Sequence, residues 1–241
     1  GNISTNDLHV YGINLNNSSS TNNSKTVNMT GNVTATGVSS SHGINSDNSS
    51  GASNTNTVNI TGNITTIGPL SHSRGIYLTN TQGANNTSVV NMTGDIASSG
   101  YFPEGITLNN NSGASNTNTV NMIGNVTATS SMSNAMGISL YNVNGANDTN
   151  TLNIAGNIMT SGYAPIGLYL SNISTTGSTN TANMTGNISV SDIGSSINAT
   201  YSGILLWNFF DRSSINNLNM TGNIVGTGNY LAGISSHNYG N

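Results

Sequence analysis

Side chains able to do chemistry are scarce in this 241-residue chain. Its acids are Asp7, Asp47, Asp95, Glu104, Asp148, Asp192 and Asp211, against three bases, Lys25, Arg74 and Arg212. Moving protons at a glycosidic bond takes two facing carboxylates, or a base with charged helpers. These acids fall at different positions of the repeat described below, so no two form a facing pair and no catalytic residue is expected. Calcium fares no better, because neutral oxygen ligands abound while charged ones are scattered. Cysteine is absent, which excludes disulfides and Cys-ligated zinc. His9 and His72 share a column of the repeat but stand two copies apart, too far for one ion. Neither metal nor cofactor is expected. One cluster stands out: His42, Arg74 and Glu104 each precede a repeated glycine on three successive copies. If copies stack about 4.8 Å apart, Arg74 and Glu104 are placed to pair. That places either a small active or anion site there or, the preferred reading, a surface ion pair worth at most about 1 kcal/mol.

Aromatic residues give a stronger lead. Tyr77, Tyr141, Tyr169, Trp207 and Phe209 are predicted to point outward, and exposed aromatics mark contact sites for sugars or proteins. The stretch "LLWNFFDR", residues 205–212, follows the longest variable segment, 187–202, which could instead fold over it as a satellite core. An outward N-x-T array (Asn28/Thr30, Asn59/Thr61, Asn91/Thr93, Asn219/Thr221) reads as a solvated strand face. It also spells glycosylation sequons, and a flat threonine lattice suits ice, although Ile123 and Ala155 interrupt the threonine column.

These residues sit on one repeated unit. "TVNMTGNVTATG" at 26–37 returns as "TVNITGNITTIG" at 57–68 and "TVNMIGNVTATS" at 119–130. One glycine column belongs to "TGN": Gly31, Gly62, Gly94, Gly124, Gly156, Gly186 and Gly222. A second opens a Gly-Ile strand: Gly12, Gly43, Gly75, Gly105, Gly137, Gly167, Gly203 and Gly233. From the second column to the next "TGN" glycine is always 19 residues, whereas the return varies from 11 to 17. A fixed part with insertions gathered at one corner is the mark of a solenoid rung.

Within the fixed part, apolar residues alternate with period two, as in strands. Ile106 and Leu108 point one way, Thr107 and Asn109 the other. A period near 31 residues with about three short strands predicts an all-β fold, a right-handed parallel β-helix of about eight rungs, roughly 38 Å long at ~4.8 Å per rung. A single rung cannot bury enough apolar surface to order itself, so each copy must template the next. Five residues after each Gly-Ile glycine stands an asparagine: Asn17, Asn48, Asn80, Asn110, Asn142, Asn172, Asn208 and Asn238. Alternation turns this column inward, where stacked amides satisfy one another as an internal ladder. A second column, Asn28, Asn59, Asn91, Asn121, Asn153, Asn183 and Asn219, faces outward.

Composition narrows the partners. Only 4% of residues are charged, against about 25% in ordinary domains. Three bases cannot neutralise a run of phosphates, so nucleic acid is not expected. No apolar run approaches the roughly 20 residues of a membrane-spanning helix, so no membrane insertion is expected within this segment. "GITLNN…TVNMIGNVTAT" resembles the passenger β-helix of bacterial autotransporter adhesins and related type V secreted surface proteins. That resemblance implies export, an extracellular or cell-surface location, an adhesive or fibrous role, and a C-terminal outer-membrane barrel not present here. The expected role is therefore a β-helical stalk or fibre shaft. Its partners would be itself, through lateral or head-to-tail association, and surface glycans or cell-surface receptors. A tailspike-like solenoid that binds or cleaves carbohydrate is the alternative, and an ice-binding solenoid a lesser one. Residues 1–241 read as one solenoid segment, mid-rung and uncapped at both ends, within a longer chain.

Overall fold

A strand that alternates inward and outward residues has two edges to satisfy, and its own copy one turn later is the best-matched partner. In the computed structural model, which describes residues 1–194, 201–210, 212–228 and 231–239, every named strand pairs in parallel with its copy. The chain is an all-β parallel solenoid of about seven turns. One wall is a seven-stranded sheet in chain order: Ser24–Thr30, Thr55–Thr61, Thr87–Thr93, Thr117–Ile123, Thr149–Ala155, Thr179–Thr185 and Ile215–Thr221. The Gly-Ile strands run at eight levels, from Ile3–Ser18 to Leu231–Tyr239. They bound seven complete turns; among the described residues no strand of the seven-stranded wall follows the eighth.

The remaining wall shows how the variable corner acts. In the second to fourth levels the segment after "TGN" runs straight into the Gly-Ile strand, giving Val33–Ser49, Ile64–Thr81 and Ile96–Asn111. Later the two part, as Val126–Thr129 and Met136–Val143, then Ile158–Gly162 and Ile166–Ile173. The register slips at this corner, for example between Gly68 and His72. Insertions are absorbed here without disturbing the stacked walls.

The two glycine columns have different causes. "TGN" glycines take φ between 136° and 159°, and a Cβ there would meet the preceding copy's carbonyl oxygen at 1.8–2.2 Å. Only glycine turns that corner. The Gly-Ile glycines are needed because the walls touch: a Cβ on Gly105 would lie 2.2 Å from Val126 across the core. The column Ile44, Ile76, Ile106, Ile138, Leu168 and Ile204 is fully buried, as are its partners Val58, Val90, Val120 and Leu152. Ile234, predicted inward with them, is 57% exposed, because nothing described closes over its level.

The amide ladder is present. Each Nδ2 from Asn17 to Asn172 donates to the next rung's Oδ1 at 2.9–3.1 Å, ending on Asn208. Asn208 is half-buried and Asn238 exposed. A second interior ladder, absent from the sequence reading, runs beside it through Asn56, Ser88, Asn118, Asn150, Asn180 and Asn216. Asn118 donates to Asn110 at 2.9 Å, and Asn110 donates to Asn142 and Asn150, both at 3.1 Å. The two ladders are thus tied within rungs and between them. Such a network costs nothing in unmet polar groups only while complete.

Candidate functional site

The molecule presents two long outward faces of opposite character. On the seven-stranded wall the outward Asn column forms its own ladder, each Nδ2 donating back to the previous rung's Oδ1 at 2.7–2.8 Å from Asn59 to Asn219. Threonines flank it, and a groove of about 1290 Å³ follows it along the rod. Ile123, 63% exposed, and Ala155 break the threonine column as the sequence indicated. This face is regular, polar and free of charge.

The outward face of the Gly-Ile strands differs at almost every rung. The predicted aromatic residues do lie on it, all half-buried, but in three groups rather than one strip. Tyr141 and Tyr169 meet edge to face at 5.2 Å, and the Tyr141 hydroxyl reaches Met136 Sδ at 3.5 Å. Burial raises the pKa of both phenols. Trp207 lies 6.5 Å from Phe209, and 5.3 Å from His237 and 5.9 Å from Tyr239, two rings not picked out in the sequence. The neighbouring Phe210 is 54% exposed at φ 51°, an uncommon conformation for so large a side chain. Of the segment 187–202 that could cover this stretch, Ile188–Asp192 is instead a strand paired with Ile158–Gly162, and residues 195–200, like Asp211, lie outside the described residues.

Tyr77 belongs elsewhere, with the His42, Arg74 and Glu104 column. Arg74 pairs with Glu104, which also accepts from the Thr107 hydroxyl at 3.0 Å, and the guanidinium lies 4.6 Å over the Tyr77 ring. The ion pair prevails, but Glu104 is only 6% exposed, so this is not the solvated pair expected. His42 sits edge-on between Tyr11 at 5.1 Å and Tyr77 at 5.5 Å. Burial first, then the Arg74 charge, push its pKa down to about 4, so the imidazole is neutral at pH 7. Its Nδ1 is buried and unpartnered.

His42 also lines a cavity of about 350 Å³, together with Tyr11, Tyr77, Asn45, Asp47, Thr79 and Asn109 among others. Burial raises the Asp47 pKa, against a smaller opposing pull from the Ser49 hydroxyl. Sequence reading passed over this cavity because its residues do not recur. The signal was there, in the one column where Asn16, Asp47, Thr79 and Asn109 follow one another. Among the described residues no three His, Asp or Glu side chains group as metal ligands, and no helix could span a membrane. Compared with known proteins, the chain matches no family model, no curated protein and no solved structure.

Proposed function

We propose that the chain is a structural and adhesive solenoid of the cell surface, a stalk or fibre shaft rather than an enzyme. The observation that carries this is the amide network: interior and exterior ladders tie each turn to the next along the rod. A device repeated at every rung serves length and rigidity, which a shaft needs. The charge balance supports the same role. With 4% charged residues, copies lying side by side meet little like-charge repulsion, so lateral association through the regular face is favoured. The resemblance of "GITLNN…TVNMIGNVTAT" to autotransporter passengers adds export and surface display to this proposal. Glycans or cell-surface receptors would then be met by the varied aromatic face.

The test combines light scattering over a concentration series with incubation against a panel of polysaccharides. Association should persist at about 0.5 M salt, where exposed charges are screened, and no new chain ends should appear in the polysaccharide. Dispersal by salt would replace the polar contacts with ionic ones. Release of chain ends would make the solenoid a lyase or hydrolase and end the scaffold reading.

A further inference from the structure

The seven-stranded wall departs from its threonine column at two adjacent rungs, and the two departures are opposite in size. Its strands keep unbroken register from Ser24–Thr30 to Ile215–Thr221. Their one charged residue, Lys25, stands in the interior column of Asn56, so every outward position is uncharged. In the column that begins at Thr30, the fourth strand carries Ile123 and the fifth Ala155, where every other strand has threonine. The exposed Ile123 is a knob among the threonines, and Ala155 beside it is a notch. We propose that this wall is the interface for a second copy of the chain, laid face to face with the rods antiparallel, so that Ile123 of each copy seats over Ala155 of the other. This interface rests on the lateral association proposed above and gives it an orientation and a register.

Symmetry selects this arrangement. Two such walls can face each other across a two-fold axis that runs along the rods or along the strands. An axis along the rods reverses the strands, so the column of Ile123 meets a different column. An axis along the strands reverses the rods and lays every column over itself. Placed between the fourth and fifth strands, it pairs fourth with fifth, third with sixth and second with seventh. No other placement along the wall sets Ile123 against Ala155. An axis through the fourth strand would drive Ile123 into its own copy, and two large residues overpack where a large one over a small one conserves volume. The other bulky outward residues also meet smaller ones, Val89 over Thr181 and Ile215 over Thr55. The outward amide ladder favours the same orientation. Its Nδ2 groups all donate toward the first rung, so their dipoles add along this surface as peptide dipoles do along a helix, and facing columns attract when opposed. Six paired strands of seven residues, spaced about 4.8 Å with about 3.3 Å per residue, cover about 670 Å² on each copy. The total of about 1,300 Å² lies within the range of specific interfaces. An ice lattice or a polymer of one repeat would meet Ile123 as an obstacle, whereas a second copy brings the matching notch.

Ile123 and Ala155 both point outward, so variants there should keep the circular dichroism of the wild type. The experiment is sedimentation equilibrium on the whole chain, joined to pulsed EPR distances between spin labels on single introduced cysteines. The wild type should dimerise. Ala155→Ile sets isoleucine over isoleucine twice in each dimer and should raise the dissociation constant by about tenfold or more. Ile123→Ala/Ala155→Ile exchanges knob and notch and should restore the wild-type constant, which a mere gain of apolar surface would not do. Ser53 and Ser115 are exposed at the same corner, before the second and fourth strands of the wall. Labels on Ser115→Cys should be offset along the rod by about 5 Å from their mates, and labels on Ser53→Cys by about 24 Å. The Ser53 distance should therefore be the longer. Equal distances at the two sites mean parallel rods and overturn the proposal. Dimerisation that Ala155→Ile leaves unchanged also overturns it, and lateral association in another register survives both results. A chain that stays monomeric at every concentration overturns the proposal and lateral association together.

Discussion

The wall bearing Asn28 to Asn219 and the outward face of the Gly-Ile strands share one core and one strand spacing, yet they were written under different constraints. On the first, each side chain's partner is its own copy: Asn91 donates to Asn59 and receives from Asn121. Such a column cannot change at one rung without cost at two. On the second, successive rungs carry Asn14, Asn45, Tyr77, Thr107, Ser139, Tyr169 and Leu205 at one position. There the backbone ladder suffices to hold the strand, and the side chain is left to solvent, to a neighbour, or to a ligand. Repetition marks residues that serve the rod, and departure from it marks where a specific contact can be built.

The largest effect that would break this comparison is expected inside. Asn110 receives from Asn80 and Asn118 and donates to Asn142 and Asn150. Asn110→Ala strips several buried amides of partners at about 1–3 kcal/mol each, so urea unfolding should show a loss of about 3 kcal/mol or more. Asn121→Ala, on the outward ladder, leaves its neighbours open to water and should cost about 1 kcal/mol or less. Equal losses would mean that the outward ladder is as structural as the inward one.

A second test uses an irregularity within the repeat itself. Asn54, Asn86 and Asn116 each donate Nδ2 to a carbonyl, of Ser20, Gly51 and Gly83, at 2.8–3.0 Å. The next member is Asp148, whose Oδ1 accepts from the Asn116 amide at 2.8 Å while its buried Oδ2 has no partner. Burial raises its pKa above the ordinary carboxylate value. A raised folded-state pKa means stability is greatest below the unfolded value and is lost as pH rises through the folded one. Asp148→Asn should therefore stabilise the protein at pH 7 by about 1–3 kcal/mol. The gain should shrink as the solution is made acidic enough to protonate Asp148 in both states. A gain independent of pH would assign it to packing instead.

The same contrast explains what could be read from the sequence. The solenoid, the glycine columns and the Asn17 ladder were legible because neighbour-on-neighbour constraint writes itself as recurrence. The second interior ladder was not, because Lys25 and Ser88 stand in its column and a broken recurrence looks like noise. Ser88 nevertheless joins it, accepting from Asn48 at 3.1 Å. Eight glycines in the second column suggested eight rungs, but a turn is complete only when its strand on the seven-stranded wall is also present. The aromatic residues were rightly placed outward, yet alternation says nothing of how far apart they stand along the strand, so one face became three groups. The 350 Å³ cavity was least legible: its residues recur nowhere, and their proximity exists only once the register is known.

On the varied face itself, Arg74→Ala sharpens the comparison with a smaller effect. The pair is largely shielded, with side-chain exposures of 19% and 8%, and removing the guanidinium leaves Glu104 with the Thr107 hydroxyl as its remaining partner. A loss of about 1–2 kcal/mol is expected, between exposed and buried pairs. Restoring partial neutrality with Arg74→Ala/Glu104→Gln should recover most of it. If the double variant is no better than the single, the loss comes from the guanidinium's packing over Tyr77 rather than from the unpaired carboxylate.

The smallest effect is expected where the regular face departs from its own pattern. Ile123 and Ala155 replace threonine at the same outward column, and neither makes contacts that the rod needs. Ile123→Thr with Ala155→Thr should leave stability within about 0.5 kcal/mol. The pair also separates a solvated wall from a binding lattice. If the face only solvates the rod and lets copies lie side by side, neither the wild type nor the repaired lattice should depress the freezing point beyond the colligative amount. Thermal hysteresis in the wild type that rises with the two threonines would instead make the repeated face the functional one. Repetition there would then have been kept for a periodic ligand rather than for the rod.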